Sequence, residues 1–252
     1  MRKTLILICF LFFGLAYTQS SNNNYFNDGV DLYNQGDYQK AIERFLKILE
    51  NGQHSESLYF NLGNSYYKLN DIANSIYYYE KALIINPNNE NVLNNLSFSQ
   101  NMLIDKIEEL PVNQVTQFFN FISNLFSING WLFIGILFLY FFLIVFIIYY
   151  KSSNSNTKKN YFILASIVIF LSVFSLLVGI NKYEKNKNII EAIIFADKID
   201  FRSEPNYRSE VLFNLHAGTK VVVVEQLNDW VQVEIKDGNK GWIELQSIKK
   251  IE

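Results

Sequence analysis

Apolar and polar positions follow several distinct rhythms along this chain, and each rhythm predicts a different kind of element. The longest apolar stretches are WLFIGILFLYFFLIVFIIYY (residues 131–150) and YFILASIVIFLSVFSLLVGI (residues 161–180), separated by the polar segment KSSNSNTKKN (residues 151–160). An α-helix rises about 1.5 Å per residue, so either run covers about 30 Å, the hydrocarbon thickness of a bilayer. A helix also satisfies its own backbone groups in lipid. Two transmembrane helices joined by a short loop are therefore expected. A pair of core helices in a soluble domain would carry charge on some face, and these carry none. Without an ionisable side chain in either span, the hairpin is an anchor and not an ion or proton path. Of Trp131, Tyr140, Tyr149, Tyr150 and Tyr161, all but Tyr140 stand at the ends of the runs, as interfacial residues do. Ser166, Ser172 and Ser175 are candidates for the contact between the two helices.

Before the hairpin the rhythm is helical and repeats with a period of 34 residues. NNNYFNDGVDLYNQGDYQKAIERFLKILENGQHS (22–55) aligns with ESLYFNLGNSYYKLNDIANSIYYYEKALIINPNN (56–89), so that Gly29 matches Gly63 and Phe45 matches Tyr79. Within each unit the small or apolar residues recur at helical spacing, Ala41, Phe45 and Ile48 in one and Ser75, Tyr79 and Ala82 in the other. One helical hairpin per unit follows, with turns at Gly36-Asp37 and Asn70-Asp71. A partial third unit begins at Glu90 with Ser97 where the glycine would stand, and reads as a capping helix over 90–110 stopped by Pro111. The uncharged segment 111–130 places Val115, Phe118, Phe119, Ile122, Leu125 and Phe126 at i, i+3, i+4 spacing. It either lies in the outer membrane interface before the first span or packs on the repeats.

After the second span the rhythm shortens to strand length. In WVQVEI, Val231, Val233 and Ile235 alternate with Gln232 and Glu234, and turns are marked at His216-Ala217-Gly218-Thr219, Leu227-Asn228-Asp229 and Asp237-Gly238. About five short strands over residues 190–252 predict a small barrel. The expected fold class is a multidomain membrane protein: all-α helical hairpins, a two-helix transmembrane hairpin and a small all-β barrel.

Composition sharpens this picture. The chain has 252 residues, one cysteine and two histidines. Disulfides are excluded, and His54 and His216, in different domains, make no ligand or base pair. Met1 to Thr18, with Arg2, Lys3 and the core LILICFLFFGLA, read as a secretory signal. All 24 acidic residues fall in the blocks 20–110 and 181–252, whereas Arg2, Lys3, Lys151, Lys158 and Lys159 carry the charge of the segments expected inside. This asymmetry directs both domains to the periplasmic side of the cytoplasmic membrane. Residues 22–110 hold six Lys/Arg against twelve Asp/Glu, a net charge of −6, which disfavours nucleic acid and anionic lipid as partners of that block. No catalytic constellation, metal-ligand spacing or phosphate loop is present, so neither an enzyme nor a cofactor is expected.

The repeated units resemble the tetratricopeptide repeat (TPR) family. That resemblance implies a concave peptide groove lined by the first helix of each unit, with Phe26, Tyr33, Phe60, Asn64, Tyr67, Lys68 and Asn94 as candidate contacts. Basic residues that clamp a terminal carboxylate in some members are replaced here by Phe26 and Val30, so the groove suits an extended peptide or a partner helix. Several of these aromatics serve equally well to complete the small core. Asp200 to Pro205, Gly218-Thr219, Trp230 and Gly241-Trp242-Ile243 resemble the bacterial SH3-like (SH3b) family, some of whose members bind cell-wall peptide or glycan. Arg202, Tyr207, Trp230 and Trp242 form the candidate recognition edge, with core and turn packing as the competing role of the two tryptophans. Taken in order, signal, repeats, two spans and SH3b domain resemble the BatE-like proteins of the Bacteroides aerotolerance (Bat) group. The resemblance implies von Willebrand A-domain membrane partners, a MoxR-like ATPase acting from the cytoplasm, and a role in aerotolerance or envelope stress. A cell-wall-binding structural protein, gripping peptidoglycan through the barrel, is the alternative.

Overall fold

The computed structural model describes residues 22–108 and 113–251, the side chains of 186–188 excepted. The expected signal at 1–18 and positions 109–110 lie outside these residues, and the capping helix expected over 90–110 ends at Asn101, with 102–108 non-helical as the chain turns to meet the barrel. The chain forms two compact units, one built from the repeats together with the barrel and the other from the segment between them.

In the first unit, helix α1 (22–34) and α2 (Tyr38–Glu50) form one hairpin, and α3 (Glu56–Lys68) and α4 (Ile72–Ile85) a second. α5 (Glu90–Asn101) follows as a single helix. The 34-residue period has a physical origin at the glycines. A Cβ on Gly29 would lie 2.5 Å from the Phe45 ring, and one on Gly63 would lie 2.5 Å from the Tyr79 ring. Each hairpin closes only because its first helix offers a notch to an aromatic side chain of the second. Gly36 and Asn70, one period apart, both take the left-handed conformation that ends a helix, with φ of 85° and 61°. Asp71 then caps α4 by accepting from the Asn74 amide, whereas Asp37 makes no such bond and pairs with Lys40.

The barrel is one antiparallel sheet of β1 (Ile190–Ile194), β2 (Lys198–Arg202), β3 (Val211–His216), β4 (Lys220–Leu227), β5 (Trp230–Glu234), β6 (Lys240–Glu244) and β7 (Ile248–Lys250). Its strand order is β3-β2-β6-β5-β4-β1-β7. Bulges between Phe201 and Arg202 and between Val223 and Glu225 curl it around Phe201, Leu215, Val231, Val233 and Ile243. A turn of 3-10 helix at Leu245–Ser247 separates β6 from β7.

Seven strands stand where alternation predicts about five, and β1 explains part of the difference. Ala192 and Ile194 enter the barrel core, while Ile193 between them enters the core of the helical repeats. A strand buried on both faces has no polar face to alternate with. The repeats and the barrel therefore share an interior. Tyr77 of α4 meets Phe195 edge to face, with ring centroids 6.0 Å apart, and Ile251 joins the helical core. Gly218, at φ 91°, brings its turn so close that a Cβ there would lie 2.5 Å from Leu103.

In the second unit, α6 (Gln114–Asn124) precedes α7 (Ile128–Lys151) and α8 (Ser155–Asn188). α8 begins six residues before its apolar run and continues past it. Both long helices have the length and composition to cross a membrane, and most of their apolar side chains are exposed. Between them, a Cβ on Gly135 would lie 2.7 Å from Leu176. Ser172 Oγ donates to the Gly135 carbonyl at 2.8 Å, and Ser175 Oγ to the Trp131 carbonyl at 2.7 Å. Ser166 turns outward and bonds to Phe162 of its own helix.

Candidate functional site

Two surfaces carry the candidate binding residues, and the contact between repeats and barrel fixes how they are presented. At that contact Asp105, just after α5, is a hub. It accepts from the His216 amide at 2.7 Å and from Thr219 Oγ1 at 2.6 Å, and His216 Nδ1 lies 2.7 Å from its other oxygen. Burial alone would raise the Asp105 pKa, but the bonds from Thr219 and His216 outweigh it and hold the carboxyl below its ordinary value. Lys220 bridges Glu80 of α4 at 2.9 Å and Glu191 of β1 at 2.8 Å. Burial opposes its charge, yet the two carboxylates prevail and raise its pKa above the ordinary lysine value. Lys249 sits 4.2 Å from the centroid of the Tyr77 ring, a cation–π contact, and burial with Lys81 nearby lowers its pKa. His216, a bystander by sequence, is thus part of the join between the two modules.

On the repeats, Phe26 and Tyr33 lie on α1, Phe60, Asn64, Tyr67 and Lys68 on α3, and Asn94 on α5. Their surroundings divide them. Phe26 leans on Phe45 and Phe60 on Tyr79, with ring centroids 5.8 and 6.1 Å apart, so both also finish the core. Asn64 Oδ1 accepts from Tyr79 OH at 2.6 Å and from Asn95 Nδ2 at 2.8 Å, which ties α3 to α4 and α5. Tyr33 packs edge to face on Tyr38, and its pKa is raised by burial. Lys68 and Asn94 are exposed and Tyr67 half-buried. Residues from the alternate helices α1, α3 and α5 thus contribute aromatic and amide groups, with one cation.

On the barrel, Arg202, Tyr207 and Trp230 face one cavity, and Trp242, although beside Arg202 in the sheet, does not line it. The first three line a cavity of about 600 Å³ with Lys198, Glu244 and Gln246. Trp242 is buried, opposite Gln232 and Arg202 in the sheet. Tyr207 stands against Trp230 edge to face, centroids 5.0 Å apart, and remains 69% exposed. Arg202 is largely spent on its own loop. It donates to the Tyr207 and Ser209 carbonyls at 3.1 and 3.0 Å and pairs with Asp200. It therefore holds Tyr207 in place more than it offers a free guanidinium. The neighbouring Glu244 carboxylate raises the pKa of Tyr207, so the phenol stays a neutral hydrogen-bonding group.

Sequence reasoning overlooked Lys198, Glu244 and Gln246. Glu244 reaches the cavity as the cross-strand partner of Trp230, and Gln246 through the 3-10 turn that follows β6, which alternation does not signal. Chemically the cavity offers an aromatic corner, a carboxylate, an amide and a lysine, a set suited to hydrogen bonding and stacking. Among the described residues no group of three His, Cys, Asp or Glu side chains could hold a metal ion.

Two family models match parts of the chain: residues 57–89 match the tetratricopeptide repeat and residues 197–249 match the bacterial SH3 domain. A search of the curated proteins finds no match. The chain thus combines a TPR repeat, an SH3 module and two long apolar helices. Modules of both kinds are typically binding elements without catalysis.

Proposed function

We propose that the protein is a non-enzymatic scaffold anchored in the cytoplasmic membrane by residues 131–150 and 161–180, with the repeats and the barrel on the periplasmic side. The observation that carries this reading is the shared interior of repeats and barrel, sealed by Asp105 and Lys220. Two binding surfaces fixed on one body meet a shared partner at high effective concentration, without the ordering cost of a flexible linker. An extended peptide or partner helix enters the groove at Phe60, Asn64 and Tyr67, and a second element of the same assembly meets the cavity at Tyr207 and Trp230. The module order further supports a place in a Bat-type aerotolerance or envelope-stress complex, with von Willebrand A-domain membrane proteins as partners.

Pull-down of the full chain from detergent-solubilised membranes, followed by mass spectrometry, tests this reading. The expected result is a defined set of membrane proteins that is lost when Phe60→Ala and Tyr67→Ala are combined and the chain remains folded. Unchanged capture by that variant would remove the groove from the account.

The mixed aromatic and polar lining of the barrel cavity favours a second reading, in which the barrel grips peptidoglycan and the repeats recruit a cell-wall enzyme. Co-sedimentation of the full chain with purified sacculi, lost on Tyr207→Ala, would support it. No sedimentation of the wild type would end it.

A further inference from the structure

The second unit holds a groove that neither the anchor nor the binding surfaces use. It lies between α6 and α8 and has a volume of about 630 Å³. Along α8 its lining changes character in one direction: Phe174, Leu177 and Val178 come first, then Asn181, Lys182 and Lys185. At about 1.5 Å per residue, Phe174 and Lys185 are roughly 16 Å apart along the helix. The facing wall is α6, with Phe119 and Ile122 beside Asn120 and Asn124. None of the lining residues is acidic.

The wall is held in place by a clamp. Lys182 Nζ donates to the Ser123 carbonyl at 3.0 Å, to Asn124 Oδ1 at 3.3 Å and to the Phe126 carbonyl at 3.2 Å. These are oxygens at the C-terminal end of α6, where a cation is favoured by the helix dipole. Trp131 Nε1 donates to the same Ser123 carbonyl at 3.0 Å. With its oxygen engaged, Asn124 has its amide NH₂ left as a donor. Lys185, one turn beyond Lys182, is exposed at the mouth.

We propose that this groove seats one anionic phospholipid. Its acyl chain lies along Phe119, Phe174 and Leu177, its glycerol esters meet the amides of Asn124 and Asn181, and its phosphate faces Lys185 with Lys182 behind. An apolar floor that ends in two lysines without a carboxylate is complementary to a lipid in both polarity and charge. Basic pockets beside membrane helices bind anionic head groups for this reason. The inference rests on the reading of α7 and α8 as membrane spans.

Native mass spectrometry of the full chain, purified in detergent with equimolar phosphatidylglycerol and phosphatidylcholine of matched chains, tests it. One phosphatidylglycerol should be retained, in preference to the zwitterionic lipid by about fivefold for each contributing lysine. Lys185→Glu should abolish the preference, and Leu177→Trp, which fills the floor, should remove both lipids. Millimolar inorganic phosphate should displace neither. Equal retention of the two lipids by the wild type, or displacement by free phosphate, would overturn the proposal. Loss of the chain from alkaline-washed membranes would instead overturn the membrane reading on which it rests.

Discussion

The helical repeats and the membrane hairpin use the same device, a glycine notch that admits a facing side chain, under opposite conditions. In the repeats the inserted groups are Phe45 and Tyr79, and in the hairpin they are Leu176 and Leu132. In water, burying an aromatic ring is itself the driving force, and α4, which supplies Tyr79, is buried over most of its length. In lipid the outside is as apolar as the inside, and that force vanishes. There the hydroxyls of Ser172 and Ser175 bond to backbone carbonyls of the facing helix and add attraction that apolar contact alone lacks. The same notch thus rests on area in one unit and on close packing with polar contacts in the other.

Substitutions should separate the two regimes. The largest effect is expected for Gly63→Leu, because the Tyr79 ring occupies the space and the α3–α4 hairpin cannot close. A loss of about 3 kcal/mol or more is expected in thermal unfolding of the purified chain. Retention of wild-type stability would show that the notch is not what closes the repeat.

Next comes Asp105→Ala, which leaves the His216 amide and the Thr219 hydroxyl without their acceptor at a buried contact. A cost of about 2–3 kcal/mol is expected. The same contact should depend on pH at both extremes. The Asp105 pKa is lowered in the folded chain, so its contribution is complete above the unfolded value of about 4 and is lost as pH falls through the lower folded value. The Lys220 pKa is raised, so its contribution is complete below the unfolded value of about 10.5 and is lost as pH rises through the higher folded value. Asp105→Asn should reduce the acid dependence and leave the alkaline limb intact. A stability profile unchanged at low pH in that variant would argue against the assignment.

In the hairpin, Ser172→Ala should cost only about 0.6 kcal/mol, read from helix association in detergent. At the barrel cavity, Tyr207→Ala should change stability least, within about 0.5 kcal/mol, while removing the aromatic corner. A large loss of stability there would make Tyr207 a structural residue and not a surface for a ligand.

The contrast also explains what could be read from the sequence. The 34-residue period is visible because the Gly29–Phe45 and Gly63–Tyr79 contacts must recur at equal spacing, and the spans are visible because lipid excludes charge from every face. Ser172 and Ser175 could be named as contact candidates from their polarity alone, whereas Ser166, of the same type, points away. The join between repeats and barrel was not legible. Ile193 is apolar like its neighbours on β1, and only the fold assigns it to a different core. Asp105 reads as one more acid after α5, although it meets partners more than a hundred residues later. Of the barrel edge, Trp230 could be found from its motif position and Tyr207 from its place just after Asp200–Pro205. Trp242, equally conspicuous in sequence, sits on the face of β6 opposite to the core residue Ile243, beside Gln232 and Arg202, and is buried there.

The shared interior of repeats and barrel is tested most directly by hydrogen exchange on the intact protein in detergent, comparing α4 with β1 in the wild type and in Asp105→Ala. If the two modules are one body, amides of Ile72–Ile85 and of Ile190–Ile194 are both protected in the wild type and lose protection together in the variant. Loss confined to one of the two segments would contradict it.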